Sequence, residues 1–475
     1  MTVRVSPAHR RGAVGAAGAA ALLVAGLAVP AYAAQEAAAV PTIVLSAGHL
    51  TGAVDAIGDP GIAVDLAQDG IPAAFLKVDV VSSSNPAVAR PDDVTFRRTG
   101  HGGGRELTVH PRGRGYTDLT LRVTGRGGRT ATATLSYAAS ARVGTGLLGT
   151  RYLTGSSDSS AAVDVGGGYV LVADDETNVL RLYDRSRSGA PVKTWDLGAA
   201  LGAKKEVDIE AAARVGDTVY WTGSLGNNKD GKYKADRNTV FTTKLTGTGA
   251  ATEVAFGSAY KGLREDLIAW DTANGNRYGF AAGTAAGRIP KSIDGFNVEG
   301  LEFAPGSTTT AYLGFRAPLA PAVPGGKALI VPVTNFDQVV AGAAKATFGA
   351  GIELDLGGLS IRDIRKNAAD QYLILAGSWA ADDNSDPYAL YQWDGVAGHA
   401  PVKRADLPTT DPGGWEAVVA VPDLRVPGAR VQLITDSGSA DLYGDGTEAK
   451  DLTFPEWKKS RSAWFTLGPI RGGHR

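Results

Sequence analysis

The chain has 475 residues, 20% of them charged and 44% hydrophobic, which excludes both a disordered segment and an integral membrane bundle. Its formal net charge is −1 and no basic block interrupts it, so nucleic acid is not an expected partner. It contains no cysteine, which excludes disulfides, thiolate nucleophiles and cysteine-held metals.

Arg4, Arg10 and Arg11 precede an apolar stretch at 13–29, and Pro30 introduces the small-residue site Ala31-Tyr32-Ala33. This is the grammar of an export signal over residues 1–33, cleaved before Ala34. Its loss leaves a mature chain of net charge about −4, with no membrane span, expected to be secreted.

Residues 40–140 read as a β-sandwich. Leu119, Leu121 and Val123 alternate with polar residues, Gly125-Arg126-Gly127-Gly128 makes a turn, and Ala131, Ala133, Leu135 and Tyr137 alternate on the return. Period two on both sides of a glycine-rich turn is a hairpin with one buried face. Earlier strands are expected at 42–47, 61–66, 74–82, 94–98 and 105–110. The unit resembles the immunoglobulin-like or cadherin-like modules of exported bacterial proteins.

Residues 145–475 repeat one pattern at 159–176, 207–226, 265–283, 296–318, 359–378 and 413–438. A polar residue opens an apolar strand, a turn follows, and a second apolar strand closes on a small or charged residue. Two further strands between copies complete four-stranded blades of roughly 55 residues, the format of a β-propeller, here with six blades. The expected fold class is therefore all-β, a sandwich followed by a propeller for which six blades are expected, with the uneven spacing leaving five or seven open. A last strand at 463–467 is expected to pair with the first blade and close the ring.

In a propeller, the residues opening and closing each copy converge on one mouth of the central channel. The openers are Ser160, Glu210, Glu265, Glu299, Arg362 and Glu416; the closers are Asp174, Ser224, Gly283, Arg316, Ser378 and Asp436. Converging carboxylates repel unless neutralised. One solution is a hard cation: Glu210, Glu299, Glu416, Asp436 and Asp174 would supply oxygens to calcium, with Arg316 and Arg362 holding an anionic substrate. The other is internal, with Arg316 and Arg362 pairing with Glu299 or Glu416 and joining the blades. Beyond the sandwich the only histidines are His399 and His474, neither at a mouth position, which argues against a serine–histidine mechanism or a histidine-held zinc. His101, among glycines, reads as an exposed loop. Asp382, Asn384 and Asp386 have the spacing that opens a calcium loop, but Trp393 stands where its closing glutamate belongs, and the segment reads as a solvated turn.

The stretches VADDETNVLRLYDR (172–185), EVDIEAAARVGDTVYWTGSLGNNKDGK (206–232), SIDGFNVEGLEFAP (292–305), GFRAPL (314–319) and ALIVPVTNFD (328–337) resemble the bacterial domain-of-unknown-function 3616 family. The EGLEF-type repeat is more distantly similar to phytase-like and lactonase-like propellers. That likeness implies calcium in the funnel and hydrolysis of a phosphoester or lactone there. The alternative is a non-catalytic extracellular propeller that binds a small anionic ligand or another protein. No residue stands out as a catalytic base.

Overall fold

The computed structural model describes residues 39–54, 56, 59–100, 103–141, 148–380, 387–410 and 413–469. The expected export signal, His101, His474 and the turn with Asp382, Asn384 and Asp386 lie outside the described residues. From Val40 onward the chain forms one compact unit. Among the described residues no helix is long and apolar enough to cross a membrane.

The first part consists of two four-stranded sheets. One runs in the order Thr42–Leu45, Gly61–Ala67, Gly104–Val109, Val94–Thr99; the other in the order His49–Ala53, Thr130–Ser140, Gly115–Thr124, Lys77–Ser83. The alternating residues of the hairpin do what period two requires: Leu119, Leu121, Val123, Leu135 and Tyr137 turn inward and meet Ile62, Val64, Leu107 and Val109 of the other sheet in one core.

The second part is a propeller of five four-stranded sheets among the described residues, not six. The innermost strands are Ser159–Gly166, Ile209–Val215, Asn297–Phe303, Ser360–Lys366 and Gly414–Val418. Each packs against the next, and the fifth packs against the first, so the ring is closed. The missing blade is the third copy. Its Leu267 and the preceding Leu263 are spaced for a helix, and Leu263–Ala273 is an α-helix that buries both, with Glu265 exposed in its first turn. A second short helix, Phe280–Gly283, follows. Asp271 ties the two together by accepting the backbone N–H groups of Tyr278 and Phe280, each at 3.0 Å. The run LIAW read as a strand because a short apolar run does not distinguish strand from buried helix.

Closure also runs in the opposite sense to that expected. The last strand, Lys459–Thr466, is the third of the fifth blade, and Leu148–Thr154 from the start of the propeller supplies the fourth. At the same seam Lys459, 2% exposed, donates to Gly52 O at 2.5 Å and Thr51 Oγ1 at 3.0 Å of the sandwich. Asp59 accepts the N–H of Ala53 at 3.0 Å, so a lysine and a carboxylate hold opposite ends of one peptide unit.

Candidate functional site

The residues expected to open each blade share one structural device. Strand pairing skips Ser160, Glu210, Glu299, Arg362 and Glu416 in turn, leaving a bulge at the same place in all five innermost strands. A bulge leaves its residue unpaired and re-aims the side chain. Repeated around the ring, it brings the five side chains to the channel.

The channel mouth then divides into two halves. On the third to fifth blades, charge is neutralised internally. Glu299 Oε1 accepts from Arg316 Nη1 at 2.9 Å and from Asn297 Nδ2 at 2.7 Å, and Glu299 Oε2 lies 3.0 Å from Arg362 Nε. Arg362 continues to Glu416, with Nε 2.9 Å from Oε2 and Nη2 on Oε1. The guanidinium of Arg316 also reaches the carbonyls of Trp379 and Ala380. All four charged groups are buried, so the chain Arg316–Glu299–Arg362–Glu416 joins three blades in a dry environment. The two arginines expected to hold a substrate are therefore committed to carboxylates and carbonyls, and Glu299 and Glu416 are committed to them.

The first and second blades present the other half. Oxygens of Asp175, Asp208 and Glu210 lie within 4.8 Å of one another. Asp158 bridges Asp436 across the seam between the first and fifth blades, and Asp175 N–H donates to Asp158 O at 3.2 Å. Gly438 packs so tightly here that a Cβ would fall 1.5 Å from Asp158 Oδ1, which leaves room only for glycine. Burial pushes the Asp175 carboxyl well above the usual range, and Asp436, Glu210, Asp158 and Asp208 push it further. Burial and the charges of Asp208 and Glu299 raise Glu210, while Lys291 and Arg316 partly offset this. Asp158 is pushed up to about 8, first by burial and then by Asp436 and Asp174. Asp208 is also raised by burial, although Arg237 Nη1 stands 2.8 Å away. One oxygen of Asp175 is buried with no hydrogen-bond partner among the described residues.

Of the expected metal ligands, then, Glu210 sits in an acidic cluster, Asp436 borders it, and Asp174 turns back into its own blade. There Asp174 accepts from Ser156 Oγ and lies 3.5 Å from Arg181. The sequence reading missed Asp158, Asp175 and Asp208. The signal was present for two of them: Asp175 follows Asp174, so one of the pair must face away from Arg181, and Asp208 stands two residues before Glu210. His399 pairs with Asp394 at 2.6 Å, at the far end of its blade from the mouth.

Residues 280–411 match the family described as Protein of unknown function (DUF3616). That segment holds Glu299, Arg316 and Arg362, the neutralised half; Asp175, Asp208 and Glu210 precede it. No curated protein matches the chain. Among solved structures, glutaminyl cyclase from Myxococcus xanthus aligns at 10% identity and TM-score 0.33, over 68% of this chain and 96% of its own. The PQQ-bound aldose sugar dehydrogenase from Streptomyces coelicolor aligns at 12% and 0.29, over 68% and 99%. Virginiamycin B lyase from Staphylococcus aureus aligns at 8% and 0.25, over 83% and 100%.

Proposed function

We propose that the mouth of this DUF3616-related propeller binds a hard divalent cation, calcium by the all-oxygen donor set, at Asp175, Asp208 and Glu210. The observation that carries this is the mutual distance of 4.8 Å or less between their oxygens. Two oxygens bound to one calcium at about 2.4 Å lie no more than about 4.8 Å apart, so the spacing of the three is compatible with a shared ion. The charge balance points the same way. The neutralised half has its own arginines, whereas the acidic half gathers five carboxylates, with Arg237 and Lys291 beside them. An ion there would present open positions to a small anionic ligand outside the cell.

Hydrolysis of a phosphoester or lactone needs more than the ion. It needs a group that activates water as well, and no described residue at the mouth is assigned that role. The arginines expected to hold an anionic substrate, Arg316 and Arg362, are buried in ion pairs.

Thermal unfolding with calcium and with chelator tests the reading. At a hundredfold excess over Kd the ion should stabilise the fold by about 2.7 kcal/mol, reversed by chelator. Asp175→Asn should abolish the calcium response while leaving the chelated protein at least as stable, because it removes a repelled charge. Equal stability with calcium and with chelator in the unaltered protein would sink the proposal. Calcium-dependent turnover of an aryl phosphate or a lactone, lost in Glu210→Gln, would make the site catalytic.

A further inference from the structure

The strands Tyr169–Asp174 and Arg430–Asp436 both end at the mouth, so Tyr169 and Arg430 mark the opposite face of the propeller. There the first and fifth blades leave a groove of about 700 Å³. The turn Gly167-Gly168, at φ 62° and 82°, is part of its lining. Three arginines line it from three segments: Arg151 on the closing strand Leu148–Thr154, Arg185 just past the strand Val179–Asp184, and Arg430. Trp464 stands between two of them, its ring centroid 5.4 Å from the Arg185 guanidinium and 5.5 Å from that of Arg430.

Two of these three guanidiniums are held by hydrogen bonds. Arg151 donates Nε to Ser186 O and Nη1 to Thr150 O, both at 2.7 Å. Arg185 donates Nε to Gln432 Oε1 at 2.8 Å and Nη1 to Asp164 Oδ2 at 3.0 Å. Nε and Nη1 of each are engaged, and neither Nη2 has a hydrogen-bond partner among the described residues. Arg430 is exposed, its guanidinium touches Trp464, and that guanidinium has no hydrogen-bond partner among the described residues. The acid in the groove, Asp184, uses Oδ1 to accept Ser186 N at 2.8 Å and Ser186 Oγ at 2.6 Å. Three arginines against Asp184 and the already paired Asp164 leave the groove positive.

A guanidinium edge matches the paired oxygens of an oxyanion, and a pre-anchored one loses less freedom on binding. A carboxylate has two oxygens in one plane and suits a single fork. A tetrahedral group has oxygens for several forks at once. We propose that this groove is a second ligand site, separate from the mouth, that takes a phosphate or sulfate group between Arg151, Arg185 and Arg430.

Isothermal titration with inorganic phosphate at low ionic strength, with chelator present, tests it. The expected result is saturable one-to-one binding that sulfate displaces. Arg430→Ala, an exposed change that spares the fold, should weaken it at least about tenfold, and Arg151→Ala should do the same. Glu210→Gln should leave it unchanged. Glycerol 3-phosphate run beside phosphate separates an ester from the free ion, and binding of either supports the site. No saturable heat would overturn the proposal. So would wild-type affinity in both arginine variants, acetate binding as tightly as phosphate, or an equal loss in Glu210→Gln.

Discussion

Replacing Arg362 with alanine asks whether the buried ion-pair chain holds the blades together. Arg362 is 0% exposed and spans Glu299 of the third blade and Glu416 of the fifth. Without it Glu299 keeps Arg316 and Asn297. Glu416 loses its ion-pair partner among the described residues while remaining 6% exposed. One stranded carboxylate from a broken buried pair costs about 3–5 kcal/mol. In a chain of this size that is a fall in Tm of roughly 3–5 °C. The loss should depend on pH. A stranded carboxylate has a folded-state pKa above its unfolded one, so its protonated form is favoured by folding and the penalty grows as pH rises through the raised value. Calorimetry at pH 5 and pH 8, with chelator present, should show the smaller loss at pH 5. Arg362→Met combined with Glu416→Leu should recover much of the stability, because apolar replacement of a buried pair is often neutral. A loss under about 1 kcal/mol, or one equal at both pH values, would refute the reasoning.

Two further outcomes are expected. Gly314 lies where a Cβ would come within 2.9 Å of Ile361 Cγ2 and 3.2 Å of Gly300 Cα, so Gly314→Ala should cost about 1–3 kcal/mol in urea unfolding, through the packing of the third blade on the fourth. Burial pushes Lys459 down to about 7, partly offset by Asp59, itself pushed up to about 6; Tyr137, Tyr152 and Tyr443 line the same junction. The unfolded chain therefore holds a proton on Lys459 that the folded one releases, and stability should rise with pH from about 7 toward 10.5. Lys459→Met should remove that rise, visible as a flatter plot of Tm against pH.

The repeat was legible because its signal is local. A polar residue ahead of an apolar run marks each inner strand, and in five of six copies that residue is the one the bulge turns inward. The sixth misled because the apolar stretch at 263–270 also satisfies helical spacing, and only its packing decides between the two. The pairing of charges was legible as an alternative but not as a choice. Which carboxylate meets which guanidinium depends on how neighbouring blades abut, and Glu299 and Arg362 are 63 residues apart in the sequence. Asp174 and Asp175 show the finest limit: adjacent, identical in type, and sent to different partners where the strand ends at Asp174.

The seam has a mechanical meaning. The strand that completes the fifth blade, Leu148–Thr154, is the first element after the sandwich among the described residues, and the ring cannot shut until the strand Lys459–Thr466, late in the sequence, has been made. The propeller is thus a clasp whose tongue comes first and whose buckle comes last. Any pull transmitted through the sandwich would load that tongue directly. The contacts of Lys459 with Thr51 and Gly52 tie the sandwich to the strand on the buckle side. Such a pull would thus be shared across both halves of the clasp instead of peeling one from the other.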